Sequence, residues 1–303
     1  MTLRARRVLI LWLTLLVPAA PAWAEDSPTL RKLRDTGIIT LGYRANSAPF
    51  SYLDARLKPI GYSIDLCRHV VEVLRRQPGL HALEVRPVAV TSATRMPLVA
   101  NGTVDLECGI TTNNAERQKT QSFSVTIFVA ESRLLARKAA GIHTLDNLQG
   151  QAVASTIGTT SIQYLQTVNR TRGLDMKILA GLDDADGFRL VDTGRAVAFA
   201  MDDVLLRSLL ATARNPAEFS ISRQALSVEP YGIGLTRHDR AFKALVDGAL
   251  GELFHSGEIR NIYRRWFQSP VPPRSVNLQL PMSPALERVI RTPTDSPDPE
   301  RYR

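Results

Sequence analysis

Glu107–Arg117 reads Glu-Cys-Gly-Ile-Thr-Thr-Asn-Asn-Ala-Glu-Arg and follows the short run Val104-Asp105-Leu106. The chain is expected to leave a strand at Gly109 and turn into a polar loop. That loop supplies hydroxyls, backbone N–H groups and one guanidinium within a few residues. Open α/β sheets place ligands at the carboxyl ends of their strands, and arginine's rigid fork of donors can hold a carboxylate through two bonds. A small-molecule carboxylate site is therefore expected around Thr112 and Arg117, on an α/β fold. In isolation the blander alternative, a turn with a solvated arginine, is the stronger. The weight falls on whether the pattern recurs.

It does recur upstream. Thr29–Thr36 reads as a short helix ended by Gly37, and Ile38–Gly42 as a buried strand followed at once by Tyr43-Arg44. Arg44 thus lies at a strand's carboxyl end, with Phe50 as a candidate wall for a ligand's carbon chain or a core residue. Ser63 is the expected N-cap of a helix with Ile64, Cys67, Val71 and Leu74 at helical spacing, ending before Pro78-Gly79. Leu83–Val90 alternates like a strand and is followed by Thr91, Ser92, Thr94 and Arg95, which opens the helical segment Met96–Ala100. Three successive strand ends therefore deliver Arg44, then Ser92 with Arg95, then Thr112 with Arg117.

Downstream, Phe123–Phe128 and Arg133–Arg137 read as extended segments separated by a crossing between lobes at Val129–Ser132. A second series begins with a short helix at Leu145–Leu148 and a strand at Ala152–Ser155. Thr156-Ile157-Gly158-Thr159-Thr160-Ser161 then opens a helix reaching about Arg170. Free N–H groups, hydroxyls and the positive end of the helix dipole suit an anion there; plain N-capping by Thr159 or Thr160 is as good a reading. Met176–Ala180 is a strand, Asp186–Thr193 a short helix, and Ala196–Met201 an apolar strand ending in Asp202-Asp203 before the helix Val204–Arg214. A carboxylate there is placed to bind an ammonium or to cap the helix. Phe219–Ser222 and Gly232–Thr236 are extended segments returning to the first lobe. Arg240–Phe267 is helical with a break near Ser256-Gly257, and the Pro-rich tail after Pro270 wraps the surface or is disordered.

Arg4, Arg6 and Arg7 precede the apolar run Val8–Val17 and the small-residue stretch Ala22-Trp23-Ala24, the order of a secretory signal peptide cut after Ala24. That run is too short for a stable membrane span. Losing three arginines and no acids takes the formal charge from +9 to +6, leaving about 280 residues, enough for two lobes. No Lys/Arg cluster is interleaved with aromatics, so nucleic acid is not an expected partner. Cys67 and Cys108 permit one disulfide; the favoured reading is two small buried apolar residues. No metal-ligand spacing, P-loop or Gly-x-Ser-x-Gly occurs, and the five histidines fall away from the strand ends, so no metal, cofactor or catalytic group is expected. Three arginines, an aspartate and several hydroxyls spread over two βα series match a zwitterionic amino acid carrying a second carboxylate.

The chain resembles the periplasmic glutamate/aspartate-binding proteins of polar amino-acid ABC importers, in the family 3 solute-binding group. The matching segments are Gly42-Tyr43-Arg44, Pro49–Tyr52, Gly61–Asp65, Thr91–Leu98, Asn101–Gly109, Thr111–Lys119, Gly158–Ser161, Gly194–Asp203 and Trp266-Phe267, without evident gaps over about residues 29–273. The resemblance implies a two-lobed periplasmic-binding-protein (Venus-flytrap, type II) α/β fold: a signal peptide at 1–24, lobe 1 from 25–130 plus 224–273, lobe 2 from 131–223, and a tail at 274–303. It implies a monomer that passes an amino acid to a membrane permease. Carried over, Arg117 and Thr112 bind the α-carboxylate and assist at the ammonium, and Asp202 pairs with the ammonium. Arg44, Ser92 and Arg95 hold the side-chain carboxylate, and Thr159 or Thr160 closes from lobe 2. Two positions depart from the family's pattern. Ile110 stands where a serine is usual, which loses a hydroxyl but leaves the carbonyl. Asp184 stands where a histidine is common near the ligand's side-chain acid, and two close carboxylates repel unless bridged or protonated. The competing class is a periplasmic enzyme on the same fold, a cyclohexadienyl-type dehydratase using Asp184 or Glu107 as general acid. A sensor domain is a third reading.

Overall fold

The computed structural model describes residues 27–303; the signal peptide read at 1–24 lies outside the described residues. The first sheet runs in the order Glu84–Ala89, Ile38–Tyr43, Leu106–Glu107, Gly234–Leu235, Ser122–Phe123. Its first three strands are parallel, with Gly42 opposite both Val88 and Glu107. Parallel neighbours need crossover connections, which the helices Tyr62–Arg75 and Arg95–Ala100 provide. The three carboxyl ends consequently align along one edge, and Arg44, Ser92 with Arg95, and the loop to Arg117 all follow that edge.

The second sheet runs Lys177–Gly181, Ala152–Thr156, Ala198–Asp202, Phe128–Arg137, Phe219–Ile221, with Ser227–Tyr231 also on Phe128–Arg137. Lys177–Gly181, Ala152–Thr156 and Ala198–Asp202 are parallel, and helices Thr160–Arg172, Asp184–Asp192 and Asp203–Thr212 follow them. The crossing expected at Val129–Ser132 is not a break: Phe128–Arg137 is one continuous strand. The antiparallel Ser227–Tyr231 runs beside residues 128–132 and satisfies their backbone groups through the crossing. Two paired strands therefore join the sheets.

Core aromatics bind the crossing to the first sheet. Phe50 is fully buried, with its ring centroid 4.8 Å from Phe128, 5.5 Å from Tyr231 and 5.3 Å from Phe267. It therefore belongs to the main core. Ser63 does not cap its helix. The cap is Gly61, whose φ of 132° and 2.1 Å approach of an added Cβ to the Phe50 carbonyl require glycine, while the Ser63 hydroxyl donates to the Gly109 carbonyl at 2.7 Å. The cysteines are not free: Cys67 and Cys108 are bonded, with Cα atoms 6.2 Å apart. Helix Tyr62–Arg75 packs its buried face against the strand that ends at Glu107, an approach that a spacing of 41 residues does not reveal.

The tail wraps the surface. Helix Pro284–Arg291 buries Leu286, Val289 and Ile290, the Thr126 amide donates to the Thr294 carbonyl at 2.8 Å, and Tyr302 packs with Val129, Val228 and Val289. The end of the chain is thus seated on both crossing strands.

Candidate functional site

The gap between the lobes is narrow at the three loops that follow the parallel strands. Gly158 has φ +76°, and a Cβ there would lie 2.7 Å from the Ser92 backbone, so only glycine lets the loop before Thr160–Arg172 meet the opposite lobe. The Gly158 carbonyl accepts from Arg117 Nη2 at 3.3 Å, and Asn46 Nδ2 donates to Asp183 Oδ2 at 2.9 Å. Both bonds cross between the lobes.

Arg44, Ser92, Arg95 and Arg117 are all buried, as are Ile110, Thr112, Thr159, Asp184 and Asp202. Buried arginines ordinarily find acceptors, yet Nη1 of Arg44, Nε and Nη1 of Arg95 and Oγ of Ser92 have no hydrogen-bond partner among the described residues. Burial, with Arg117 and Arg44 as like-charged neighbours, lowers the Arg95 guanidinium to about 9, and Glu107 opposes the shift. Burial also lowers Arg117, which Glu229, Glu107 and Asp202 offset. Arg117 Nη1 donates to the Thr112 carbonyl at 3.0 Å, which fixes the fork beside the loop that carries it.

Asp202 ends its strand facing these cations. Its Oδ2 accepts from the Tyr231 hydroxyl, and its Oδ1 is buried without a partner among the described residues. Burial, then the nearby Glu229 carboxylate, raise its carboxyl well above the usual range, while the Tyr231 bond opposes the shift. Asp184, first residue of its helix, accepts from Thr156 Oγ1 at 2.7 Å through Oδ1 and leaves Oδ2 buried with no partner among the described residues. Its charge reaches Asp202, so both acids face one region.

The structure separates three expectations from the rest. The Thr159 hydroxyl caps its helix, accepting from the Ile162 amide and donating to the Thr156 carbonyl, and the Thr160 hydroxyl donates to Glu229 Oε2 at 2.7 Å. Neither hydroxyl is free, so an anion there would meet backbone N–H groups. The Ile110 side chain belongs to the main core, which leaves only its backbone for a ligand.

Glu107 is expected at the site only as a general acid of the dehydratase alternative, and Glu229 and Tyr231 are not among the expected site residues. Glu107 accepts from Thr111 Oγ1 at 2.5 Å and keeps Oε1 unpartnered beneath Gly109, where an added Cβ would strike it. Glu229 and Tyr231 lie on Ser227–Tyr231, a strand whose Pro230 hides it from pattern reading. Glu229 and Tyr231 flank Pro230 and alternate onto one face of the strand, which is the signal by which sequence could find it. Among the described residues no group of three or more metal-ligating side chains is placed to hold an ion.

A family model for bacterial extracellular solute-binding proteins, family 3, matches residues 39–269. An L-glutamate/L-aspartate-binding protein of Pseudomonas aeruginosa is 46% identical over 91% of this chain and 92% of its own length. A glutamate/aspartate import solute-binding protein of Escherichia coli is 39% identical over 93% of this chain and 95% of its own. Among solved structures, a mutant of ArgBP from T. maritima superposes with a TM-score of 0.70 at 25% identity, covering 78% of this chain and 98% of that one. The relatives are binding proteins, and the dehydratase alternative finds no support among them. With two sheets joined by paired crossing strands around a cleft of buried, unpartnered charge, this chain belongs to the bacterial extracellular solute-binding proteins of family 3.

Proposed function

We propose that the chain is exported to the periplasm after cleavage at Ala24, captures glutamate or aspartate between its lobes as a monomer, and delivers it to an ABC importer permease. The observation that carries this reading is the pairing of orphaned donors on Arg44, Ser92 and Arg95 with the orphaned Oδ1 of Asp202. Buried polar atoms without partners are costly, and a zwitterion with a second carboxylate satisfies both sets at once. Arg117, supported by Thr112, takes the α-carboxylate, and Asp202 takes the ammonium together with the Ile110 carbonyl. Arg44, Ser92 and Arg95 take the side-chain carboxylate. The N–H groups at Thr159 and Thr160 close from lobe 2, with Asp184 beside them. Lobe 1 comprises 25–130 and 224–273, lobe 2 comprises 131–223, and 274–303 is an added tail. The printed ligands of the Pseudomonas and Escherichia relatives support the same ligand class.

The test is calorimetric titration of ligand-stripped mature protein with glutamate, aspartate, glutamine and asparagine. Tight binding of the two acids alone is expected. Preference for an amide, whose N–H could reach the open Oδ2 of Asp184, or silence with all four would overturn the reading.

A further inference from the structure

Ser227–Tyr231 touches both halves of the cleft. Through its backbone it serves lobe 1: the Asn113 amide donates to the Pro230 carbonyl at 2.7 Å, and the Gly232 amide to the Thr111 carbonyl at 3.1 Å. Through its side chains it serves lobe 2: Tyr231 donates to Asp202 at the end of Ala198–Asp202, and Glu229 accepts from Thr160 at the start of Thr160–Arg172. Glu229 and Tyr231 are two residues apart, so they project to the same side of the strand, and both are buried. Glu229 pairs with Ala130 of the other crossing strand, in the middle of the connection between the lobes.

Building on the proposed amino-acid site, we propose that Tyr231 and Glu229 are positioning residues for the ammonium end of the ligand. They hold Asp202 and Thr160 in fixed register with the Thr111–Asn113 loop, so that the ammonium meets one oriented oxygen rather than a freely rotating carboxylate. Tyr231 occupies Oδ2, which leaves Oδ1 as the acceptor for the ligand. Glu229 adds a second negative charge behind Asp202 and anchors the helix start that closes over the site. The charged groups acting on Asp202 are Glu229 from the crossing strand, Asp203 and Asp184 from two helix starts, and Arg117 from lobe 1, which Glu107 in turn faces.

The two residues act on Asp202 in opposite senses, and this gives the test its edge. Tyr231 hydrogen-bonds the charged carboxylate and favours it, whereas Glu229 repels that charge. L-glutamate is titrated into the full mature chain near neutral pH in two buffers of different ionisation enthalpy, reading affinity and protons released together. Tyr231→Phe is expected to weaken glutamate about tenfold and to release more protons per ligand than wild type. Glu229→Gln keeps an acceptor for Thr160 and is expected to release fewer. Wild-type affinity and proton count in both variants would overturn the proposal. So would shifts in the same direction that only follow a lower melting temperature. If Tyr231→Phe does not fold, the proton count of Glu229→Gln decides alone. A wild-type protein that binds neither acid would overturn the parent reading and this inference with it; binding without the opposed proton counts would overturn the inference alone.

Discussion

The cleft's two ends solve the problem of buried charge in opposite ways. At one end Arg44 and Arg117 both lie within electrostatic reach of Arg95, and Nη1 of Arg44 and Nε and Nη1 of Arg95 have no partner among the described residues. At the other, Asp202 has already committed one oxygen to Tyr231, and the neighbouring Thr160 is tied to Glu229. The first end resembles a poised electrostatic trap, the second a pre-oriented hydrogen-bond seat. A site can thus draw its affinity from relief of repulsion at one end and its selectivity from fixed geometry at the other.

Arg117 stands between the two ends, and its loss should be felt by every ligand. Arg117→Ala is expected to cost about 3–5 kcal/mol of binding for acidic and neutral amino acids alike, measured by calorimetry. Arg95→Met removes charge from the cationic end only. It should weaken the acidic ligands by about 2–3 kcal/mol and leave neutral ones near wild type; equal losses for both would contradict the division between the ends. Gly158→Ala places a Cβ against the Ser92 backbone at a positive φ, so closure over the cationic end should cost about 1–2 kcal/mol, read as a faster ligand off-rate at similar on-rate.

The smallest expected effects are on the ligand-free protein and depend on pH. Burial, with Arg117 and Arg44 beside it, lowers the Arg95 guanidinium to about 9, below its ordinary range, so above that value the unfolded chain holds more protons and this group's contribution to stability rises with pH. Asp202 has the opposite sign. Its raised carboxyl holds a proton that the unfolded chain has lost, so its contribution is present below the ordinary carboxyl range and fades as pH climbs through the raised value. Arg95→Met should accordingly raise the ligand-free melting temperature at neutral pH by the equivalent of about 1 kcal/mol. A lower melting temperature in Arg95→Met would show that the cationic end carries no stored repulsion.

What could be read from sequence follows from locality. A parallel strand announces its own carboxyl end, because an apolar run and the polar residues after it are adjacent in the chain. Arg44, Ser92, Arg95, Thr112, Arg117 and Asp202 could therefore be singled out, and the structure brings Arg44 and Arg117 within electrostatic reach of Arg95, and Asp202 within reach of Arg117. Their partners were not legible because they arrive from elsewhere: Tyr231 reaches Asp202 across 29 residues, and Glu229 reaches Thr160 across 69. Pro230 masks the strand that carries both. Ser63 shows the reverse error. A serine at a helix start reads as a cap, but a carbonyl from residue 109 claimed its hydroxyl. The bond between Cys67 and Cys108 is hidden from sequence for the same reason, as no local pattern records which helix will lie on which strand.

The bond between Cys67 and Cys108 has a practical bearing on the titrations described above. Cys108 directly follows Glu107 and precedes the Gly109 turn, so the bond moors the base of the recognition loop to helix Tyr62–Arg75. Protein accumulated in a reducing bacterial cytosol would lack that mooring, whereas protein secreted through an oxidising compartment would keep it. The two preparations share a sequence and differ in covalent structure. Thiol counting before any affinity is quoted would establish which molecule is in the cell of the calorimeter.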